Sequence, residues 1–253
     1  MIKLINLNLK FIFIKQEKST MELLSEIITK SLLKEGASLV GFADLSDLPS
    51  EATNQFPFAI SIAVSLNPSI IVQINKGPTL DYFIEYKKVN LFLSYLGKFT
   101  AELLISHGYK AQPLEPTTEN FNLNTLSTPL PHKTVATRAG LGWIGKSALL
   151  TTKQYGSAIR LTSVLTDFPL PTSTPINHSQ CGECSICVDN CPVHAPSGNN
   201  WKINYPRENF FNAFTCRETA IKLSKSIGID GTICGICIVS CPWTKQYLMK
   251  HKY

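Results

Sequence analysis

The sequence predicts an α+β fold in two parts, a larger core of helices and strands followed by a small cysteine-rich module. Helical and strand-like segments are mixed without an internal repeat over residues 21–172, whereas all eight cysteines lie within residues 173–253. A length of 253 residues suits one large domain with a smaller one appended. The hydrophobic fraction of 44% and charged fraction of 17% are those of a packed globular protein.

Residues 1–20 differ from the rest of the chain. Residues 1–15 use only Met, Ile, Lys, Leu, Asn and Phe, all of which have AT-rich codons. We expect a non-native or disordered extension without a function, with the true start at Met21. Asn6, Asn8 and Lys10 interrupt its apolar run, so it resembles neither a secretion signal nor a transmembrane helix. We therefore expect a cytoplasmic protein that does not contact a membrane.

Apolar spacing then predicts the elements of the core. In order, these are a helix over 22–35, strands over 38–43 and 58–66, a helix over 81–107 and a strand over 109–114. Gly36 and Gly108 are predicted to end the two helices. Proline and threonine dominate residues 113–131, which predicts a loop layer. Residues 148–152 and 158–167 predict two strands that pair with each other across a tight turn.

The first cysteine run, C-G-E-C-S-I-C-V-D-N-C-P at residues 181–192, has the C-x₂-C-x₂-C-x₃-C-P spacing of bacterial two-cluster ferredoxins. In that pattern three thiolates hold one 4Fe-4S cluster, and the fourth cysteine ligates the other cluster. The second run, C-G-I-C-I-V-S-C-P at 234–242, lacks one cysteine, and Cys216 is the one that remains. We assign the first cluster to Cys181, Cys184, Cys187 and Cys241. We assign the second to Cys191, Cys216, Cys234 and Cys237.

Zinc sites and disulfides are the alternatives for these cysteines. Zinc prefers paired C-x₂-C ligands, often with histidine, but here a third cysteine follows at the same spacing and both runs end in C-P. Disulfides require an oxidising compartment, and the sequence shows no secretion signal. The pattern therefore favours a ferredoxin-like module with two 4Fe-4S clusters over residues 173–253.

The charge balance gives no reason to expect a nucleic-acid partner. The formal net charge is +6, and lysine and arginine are scattered with no run of five or more. Because each oxidised cluster with four thiolates carries roughly two negative charges, the loaded protein has a net charge of about +2. A protein that binds the phosphate backbone of a nucleic acid usually carries its positive charge in one concentrated patch.

Residues 138–146, R-A-G-L-G-W-I-G-K, form an unusual stretch of the core. Three glycines within six residues allow the backbone to approach a neighbour closely, the tryptophan offers a flat face, and Arg138 and Lys146 offer charge. The spacing matches neither the G-x-G-x-x-G nor the G-x-x-x-x-G-K-[ST] motif. The residues alone leave two interpretations open, a tight structural loop or a cofactor-binding loop.

Together with G-S-A-I-R-L-T-S-V-L-T-D-F-P-L-P (156–171) and the cysteine runs, this stretch resembles the epoxyqueuosine reductase family. The resemblance covers residue 22 to the end of the chain, including Gly77, Tyr82, Tyr86 and Asn90. It implies a cobalamin-binding α+β domain over 21–172, in which a corrinoid receives electrons from the two clusters and reduces the substrate. It also implies a corrinoid pocket lined by Arg138, Gly140, Gly142, Trp143, Gly145 and Lys146.

The sequence departs from that family in two places. The family's proton donor stands in a D-S-A-P segment, whereas the matching segment here is L-S-T-P and begins with Leu126. Leucine cannot donate a proton, so the catalytic residue is unknown at this stage. The chain also stops at Tyr253, before the helical repeat domain with which the family helps to hold tRNA. We therefore expect a substrate other than epoxyqueuosine in tRNA.

Four further residues have open roles. His132 either supplies a proton or faces the corrinoid, or it is a satisfied loop residue. Tyr82 and Tyr86 share one helix face at i, i+4, which favours core packing. Trp243, in C-P-W-T, is expected to shield the first cluster from water.

Three functions are compatible with the sequence. The first is a corrinoid-dependent reductase supplied by an external ferredoxin- or flavodoxin-type donor. The second is an electron-transfer or activating protein that serves a partner corrinoid protein. The third is a binding module with structural clusters. A ferredoxin alone needs far fewer residues than this chain has, which favours the first.

Overall fold

The computed structural model describes residues 21–117 and 121–251. The predicted extension over residues 1–20 lies outside the described residues, as do residues 118–120 of the predicted loop layer. The described part of the chain forms six strands, β1 (Leu39–Asp44), β2 (Phe58–Ser65), β3 (Ala111–Leu114), β4 (Trp143–Ile144), β5 (Leu150–Thr151) and β6 (Ile159–Thr166). These strands and the helices around them confirm the predicted α+β fold.

The described residues also form eight α-helices. They are α1 (21–35), α2 (Pro68–Ile71), α3 (Leu80–Ser106), α4 (His132–Arg138), α5 (Ile186–Asp189), α6 (Ala213–Ser226), α7 (Ile236–Ser240) and α8 (Pro242–Lys250). The two long helices of the core, α1 and α3, confirm the helices predicted from the apolar spacing. Each is followed by a glycine with positive φ, 112° at Gly36 and 87° at Gly108. Within the described ranges, no helix has both the length and the hydrophobicity needed to span a membrane.

One antiparallel sheet contains four of the strands, in the order β1-β2-β6-β3. Alternate side chains of β2 point to opposite faces. Ile60 and Ile62 belong to the main core with α1 and α3, whereas Ala59 packs on the other side with Val135 of α4 and with Ala139, which follows that helix. The central strands are therefore covered on both faces, which explains why β2 reads as a continuous apolar run.

The predicted pairing between residues 148–152 and 158–167 is wrong. Strand β5 pairs with β4, and β6 instead pairs with β2 and β3. Of the predicted contact, only an isolated bridge between Thr152 and Gly156 is present. Because β6 is buried inside the sheet, it needs a neighbour on each edge, and alternation along a sequence does not specify which strands these are.

The cysteine-rich module shares its hydrophobic core with the α+β part. Ile238, Val239 and Leu248 lie in the same buried cluster as Leu66 and Ile71. The hydroxyl of Tyr247 on α8 donates a hydrogen bond of 2.9 Å to the carbonyl oxygen of Leu66. The two parts therefore pack against each other through one continuous apolar core, which holds them in a defined relative position.

A second contact joins the parts at the start of α8. The backbone N–H of Ser157 donates to Oγ1 of Thr244 at 3.0 Å, and both groups are buried. The preceding residue, Gly156, has a φ of 57°, and a Cβ there would lie 2.2 Å from the backbone nitrogen of Thr244. Only glycine fits this position, because α8 leaves no space for a side chain.

We predict that Gly156→Ala destabilises the protein more than Gly228→Ala does. Both glycines have positive φ, but nothing lies within 4 Å of a Cβ at Gly228. Left-handed strain costs about 1–2 kcal/mol at either position. The overlap with Thr244 adds roughly 1–3 kcal/mol at Gly156 alone. Urea unfolding under argon, followed by circular dichroism, measures both changes, and equal losses of stability would contradict the proposed contact.

Candidate functional site

The cysteine side chains gather into two groups. Burial raises the pKa of Cys187 to about 12, and the neighbouring thiols of Cys181, Cys241 and Cys184 contribute to the shift. These are the four residues that the sequence assigns to the first cluster. The structure therefore brings Cys241, from the far end of the module, next to the three cysteines of the first run.

The second group contains the isolated cysteine. Burial raises the pKa of Cys216 to about 11, and the thiols of Cys234 and Cys191 add to the effect. Burial also raises the pKa of Cys237, with Cys216, Cys234, Cys187 and Cys191 as its neighbours. The Cys216 thiol, on α6, thus completes a set of four, and the two groups adjoin through Cys187 and Cys237.

The donor set, two groups of four cysteine thiols, fits two 4Fe-4S clusters. All eight cysteines are free thiols, so none forms a disulfide. In the described parts of the chain, no three His, Cys, Asp or Glu side chains converge as ligands of a single metal ion. Zinc draws its sulfur ligands to about 2.3 Å, whereas a 4Fe-4S cluster binds one thiolate on each of four irons and so keeps them further apart.

The start of α8 supports the thiol of Cys241. Burial raises the pKa of Cys241, while hydrogen bonds from the backbone N–H groups of Thr244 and Trp243 act in the opposite direction. Donors at the first turn of a helix favour a negatively charged sulfur. The Cys241 thiol, assigned to the first cluster, is therefore supported by the same turn that contacts Ser157 of the core.

The glycines of residues 138–146 allow close contact with the protein's own backbone. A Cβ at Gly142 would lie 2.2 Å from the carbonyl oxygen of Thr151, and one at Gly145 would lie 2.8 Å from Oγ1 of the same threonine. Arg138 is buried and pairs with Asp47 at 2.5 Å. These contacts favour the structural interpretation of the stretch.

A cavity of about 1260 Å³ lies between the sheet, residues 112–117 and 121–133, and the cysteine-rich module. It exceeds the pockets of roughly 300–1,000 Å³ that hold drug-sized ligands. The described residues that line this cavity do not include those expected to form a corrinoid pocket, namely Arg138, Gly140, Gly142, Trp143, Gly145 and Lys146. Their neighbours Ile144 and Ala148 do line it, so the stretch borders the cavity.

Leu126 lines the cavity at the position where the family resemblance places an acid. Its φ is 49°, an unusual conformation for a residue other than glycine. Nη1 of Arg207 donates to its carbonyl oxygen at 2.8 Å, and the same guanidinium donates to the carbonyl of Thr125. The cysteine-rich module therefore holds this loop through main-chain atoms. The sequence carried no signal for Arg207, because its partners are carbonyl groups that only folding brings near.

Two titratable side chains from α4 also face the cavity. Nδ1 of His132 contacts Oγ of Ser163 and its Nε2 contacts the carbonyl oxygen of Glu115, both at 2.9 Å. Burial lowers the pKa of His132, which keeps the ring neutral. Both nitrogens are engaged, so the structure favours a satisfied wall residue. Burial and the charge of Arg207 lower the pKa of Lys133 to about 8, and its Nζ donates to the carbonyl of Ala148 at 2.8 Å.

Arg160 and Tyr86 form a polar corner of the same wall. The guanidinium of Arg160 lies 4.3 Å from the centroid of the Tyr86 ring and donates to Asn90 at 2.9 Å and to Thr117 at 3.1 Å. Burial acts to raise the pKa of Tyr86, but the charge of Arg160 and hydrogen bonds outweigh it and lower the value. Tyr86 therefore has a ligand-facing surface as well as the predicted packing role.

The cavity and the second cysteine group share part of their wall. Tyr82 is buried and lines the cavity. Burial raises its pKa, and the thiols of Cys237 and Cys234 lie near enough to raise it further. Ile238, next to Cys237 in sequence, also lines the cavity. A molecule in the cavity would therefore contact Tyr82 and Ile238, two residues that also neighbour the second cysteine group.

Comparison with known families agrees with the cysteine pattern. The model of the 4Fe-4S double cluster binding domain matches residues 180–244, a segment that contains all eight cysteines. Over 123 residues the chain is 34% identical to the epoxyqueuosine reductase of Aliivibrio fischeri, which covers 47% of this chain and 32% of that protein. Over 124 residues it is 36% identical to the enzyme of a Synechococcus species, covering 48% and 38%. The matches thus span about a third of these relatives.

Solved structures extend the similarity of fold. A catabolic reductive dehalogenase in complex with 3-bromo-4-hydroxybenzoic acid aligns with a TM-score of 0.61 at 18% identity, covering 83% of this chain and 30% of that one. An epoxyqueuosine reductase with a tRNA stem loop aligns with a TM-score of 0.56 at 18% identity, covering 89% and 66%. The fold is therefore one shared by these reductases. The chain is thus similar to the epoxyqueuosine reductases over about half of its length and matches the double 4Fe-4S cluster domain over residues 180–244.

We predict that Cys216→Ser removes one cluster and leaves the other. Reconstituted without oxygen, the unchanged protein should hold about eight irons per chain and the variant about four, because Cys216 completes only the second group. Thr215→Ser, at the neighbouring position, should retain all eight. Iron analysis and electron paramagnetic resonance of the reduced proteins measure this. A variant that keeps both clusters would show that Cys216 is not a ligand.

Proposed function

We propose that this chain is an iron–sulfur reductase in which two 4Fe-4S clusters deliver electrons to a corrinoid, such as cobalamin, held in the cavity. The observation that carries the proposal is the wall formed by Tyr82 and Ile238, which adjoins both the cavity and the second cysteine group. Electrons enter from an external ferredoxin- or flavodoxin-type donor. When bound, a corrinoid supplies a metal centre that accepts electrons and reduces organic substrates.

The cavity wall fits a large, partly apolar cofactor. Ile144, Leu149 and Phe210 offer apolar contacts, while Thr117 and Arg160 offer hydrogen-bonding groups. The volume is greater than a small substrate alone requires. The contribution of this chain is to position such a cofactor beside the second cluster and to limit the access of water.

We also propose Lys133 as the proton donor in place of the missing acid. It lines the cavity, as Leu126 does, and its pKa of about 8 leaves it protonated near neutral pH yet able to release a proton. His132 is neutral and engaged at both nitrogens, so it is less suited to this role.

The charge of the wall supports a small substrate rather than tRNA. Three acidic side chains, Glu51, Glu115 and Glu208, line the same cavity as the basic groups. A surface that binds a polyanion usually carries one sign of charge. The exclusion of epoxyqueuosine in tRNA therefore rests on this mixed wall and on Leu126.

We predict that the loaded protein retains about one corrinoid per chain. Reconstituted protein is incubated with cobalamin, gel-filtered without oxygen, and analysed for iron and cobalt. Thr128→Trp should weaken retention at least about tenfold, because residue 128 lines the cavity. Thr172→Trp, at an exposed residue outside the cavity wall, should leave retention unchanged. Eight irons without cobalt would instead favour an electron-transfer protein that serves a partner corrinoid protein.

We predict that the rate of reduction falls as the pH rises through about 8, because Lys133 then loses its proton. With 3-bromo-4-hydroxybenzoate as the probe, two electrons and one proton convert the carbon–bromine bond into carbon–hydrogen and release bromide. Lys133→Met should slow this step about 100-fold and abolish the pH dependence near 8. Lys153→Met, at an exposed position, is the control. Bromide release measured from pH 6 to about 9.5 tests the assignment, which an unchanged profile in Lys133→Met would contradict.

A further inference from the structure

The indole of Trp143 contains a buried donor without a partner. Its ring is 0% exposed, and its Nε1–H forms no hydrogen bond with any group in the described part of the chain. Buried donors in folded proteins are nearly always paired, because an unpaired one loses its bond to water without replacement. This N–H therefore requires an acceptor that the described part of the polypeptide does not supply.

The position of the ring indicates which acceptor is available. Trp143 begins β4, and a Cβ at Gly145, two residues later, would lie 3.6 Å from the sulfur of Cys181. On its other side the ring packs edge-on against Trp243, with 5.4 Å between centroids. The backbone N–H of Trp243 bonds to the thiol of Cys241. The two neighbours of Trp143, Gly145 along the chain and Trp243 across the ring pair, thus each lie close to a cysteine of the first group.

We propose that Trp143 donates its indole N–H to a sulfur of the first 4Fe-4S cluster and thereby raises the reduction potential of that cluster. The proposal rests on the presence of the clusters and is independent of the corrinoid and of the substrate. Reduction adds negative charge to the cluster sulfurs, so a fixed donor stabilises the reduced form more than the oxidised one. In this proposal Trp143 acts on the first cluster by tuning its reduction potential, and it does not form part of the cavity wall.

The test compares two tryptophan variants that lose similar volume from the same ring pair. Trp143→Phe removes the indole N–H of Trp143. Trp243→Phe removes the edge contact between the two rings but keeps that N–H. In redox titrations followed by electron paramagnetic resonance, Trp143→Phe should lower the potential of the first cluster by about 59 mV, a tenfold change for one electron. Trp243→Phe should shift it by less than half as much, and the second cluster should not move. The Cys216→Ser protein identifies the signal of the first cluster.

A second measurement observes the bond directly. Protein with ¹⁵N in its tryptophan indoles, reduced and examined by pulsed electron paramagnetic resonance, should show a ¹⁵N coupling to the first cluster. The coupling should persist in Trp243→Phe and vanish in Trp143→Phe. Equal potential shifts in both variants, no shift in Trp143→Phe, or no coupling in the unchanged protein would overturn the proposal. The last outcome requires no variant, so a folding defect in Trp143→Phe does not prevent the test.

Discussion

The contact between Thr244 and the turn at Gly156 and Ser157 is the constraint on which the remaining site depends. It is a buried hydrogen bond at a point where the backbones are too close for any side chain at residue 156. The same helix turn donates hydrogen bonds to Cys241. Together with the shared apolar core, this contact fixes the cluster-binding module on the sheet. The cavity has walls from both parts, so its shape depends on how they are held together.

The sequence predicted those features that depend on neighbours along the chain. The cysteine spacing places ligands on one loop and one helix, and the helices α1 and α3 follow from apolar repeats. The pairing of β6 was not predictable, because it depends on β2 and β3, almost 100 and about 50 residues earlier. The glycines of residues 138–146 correctly indicated a close approach. They did not indicate that Thr151 is the neighbour that Gly142 and Gly145 approach.

The chain shares its overall fold with these relatives but differs from the epoxyqueuosine reductases at the position of the catalytic acid. Identity near one third covers about half of the chain, and the fold extends over more than four fifths of it. The family's acid position, in contrast, holds Leu126 in the cavity wall. In the proposed reaction, electron delivery would depend on the clusters and their packing, whereas proton delivery would depend on a few wall residues such as Lys133.

Arg207 holds the loop at Leu126 through the carbonyl oxygens of residues 125 and 126 rather than through side chains. Hydrogen bonds to main-chain carbonyl oxygens do not depend on which side chain the residue carries. The side chain at position 126 is consequently free to mutate between acidic and apolar types without loss of the loop's shape. This arrangement would allow a lineage to exchange one chemistry for another in few evolutionary steps, while inheriting its electron supply unchanged.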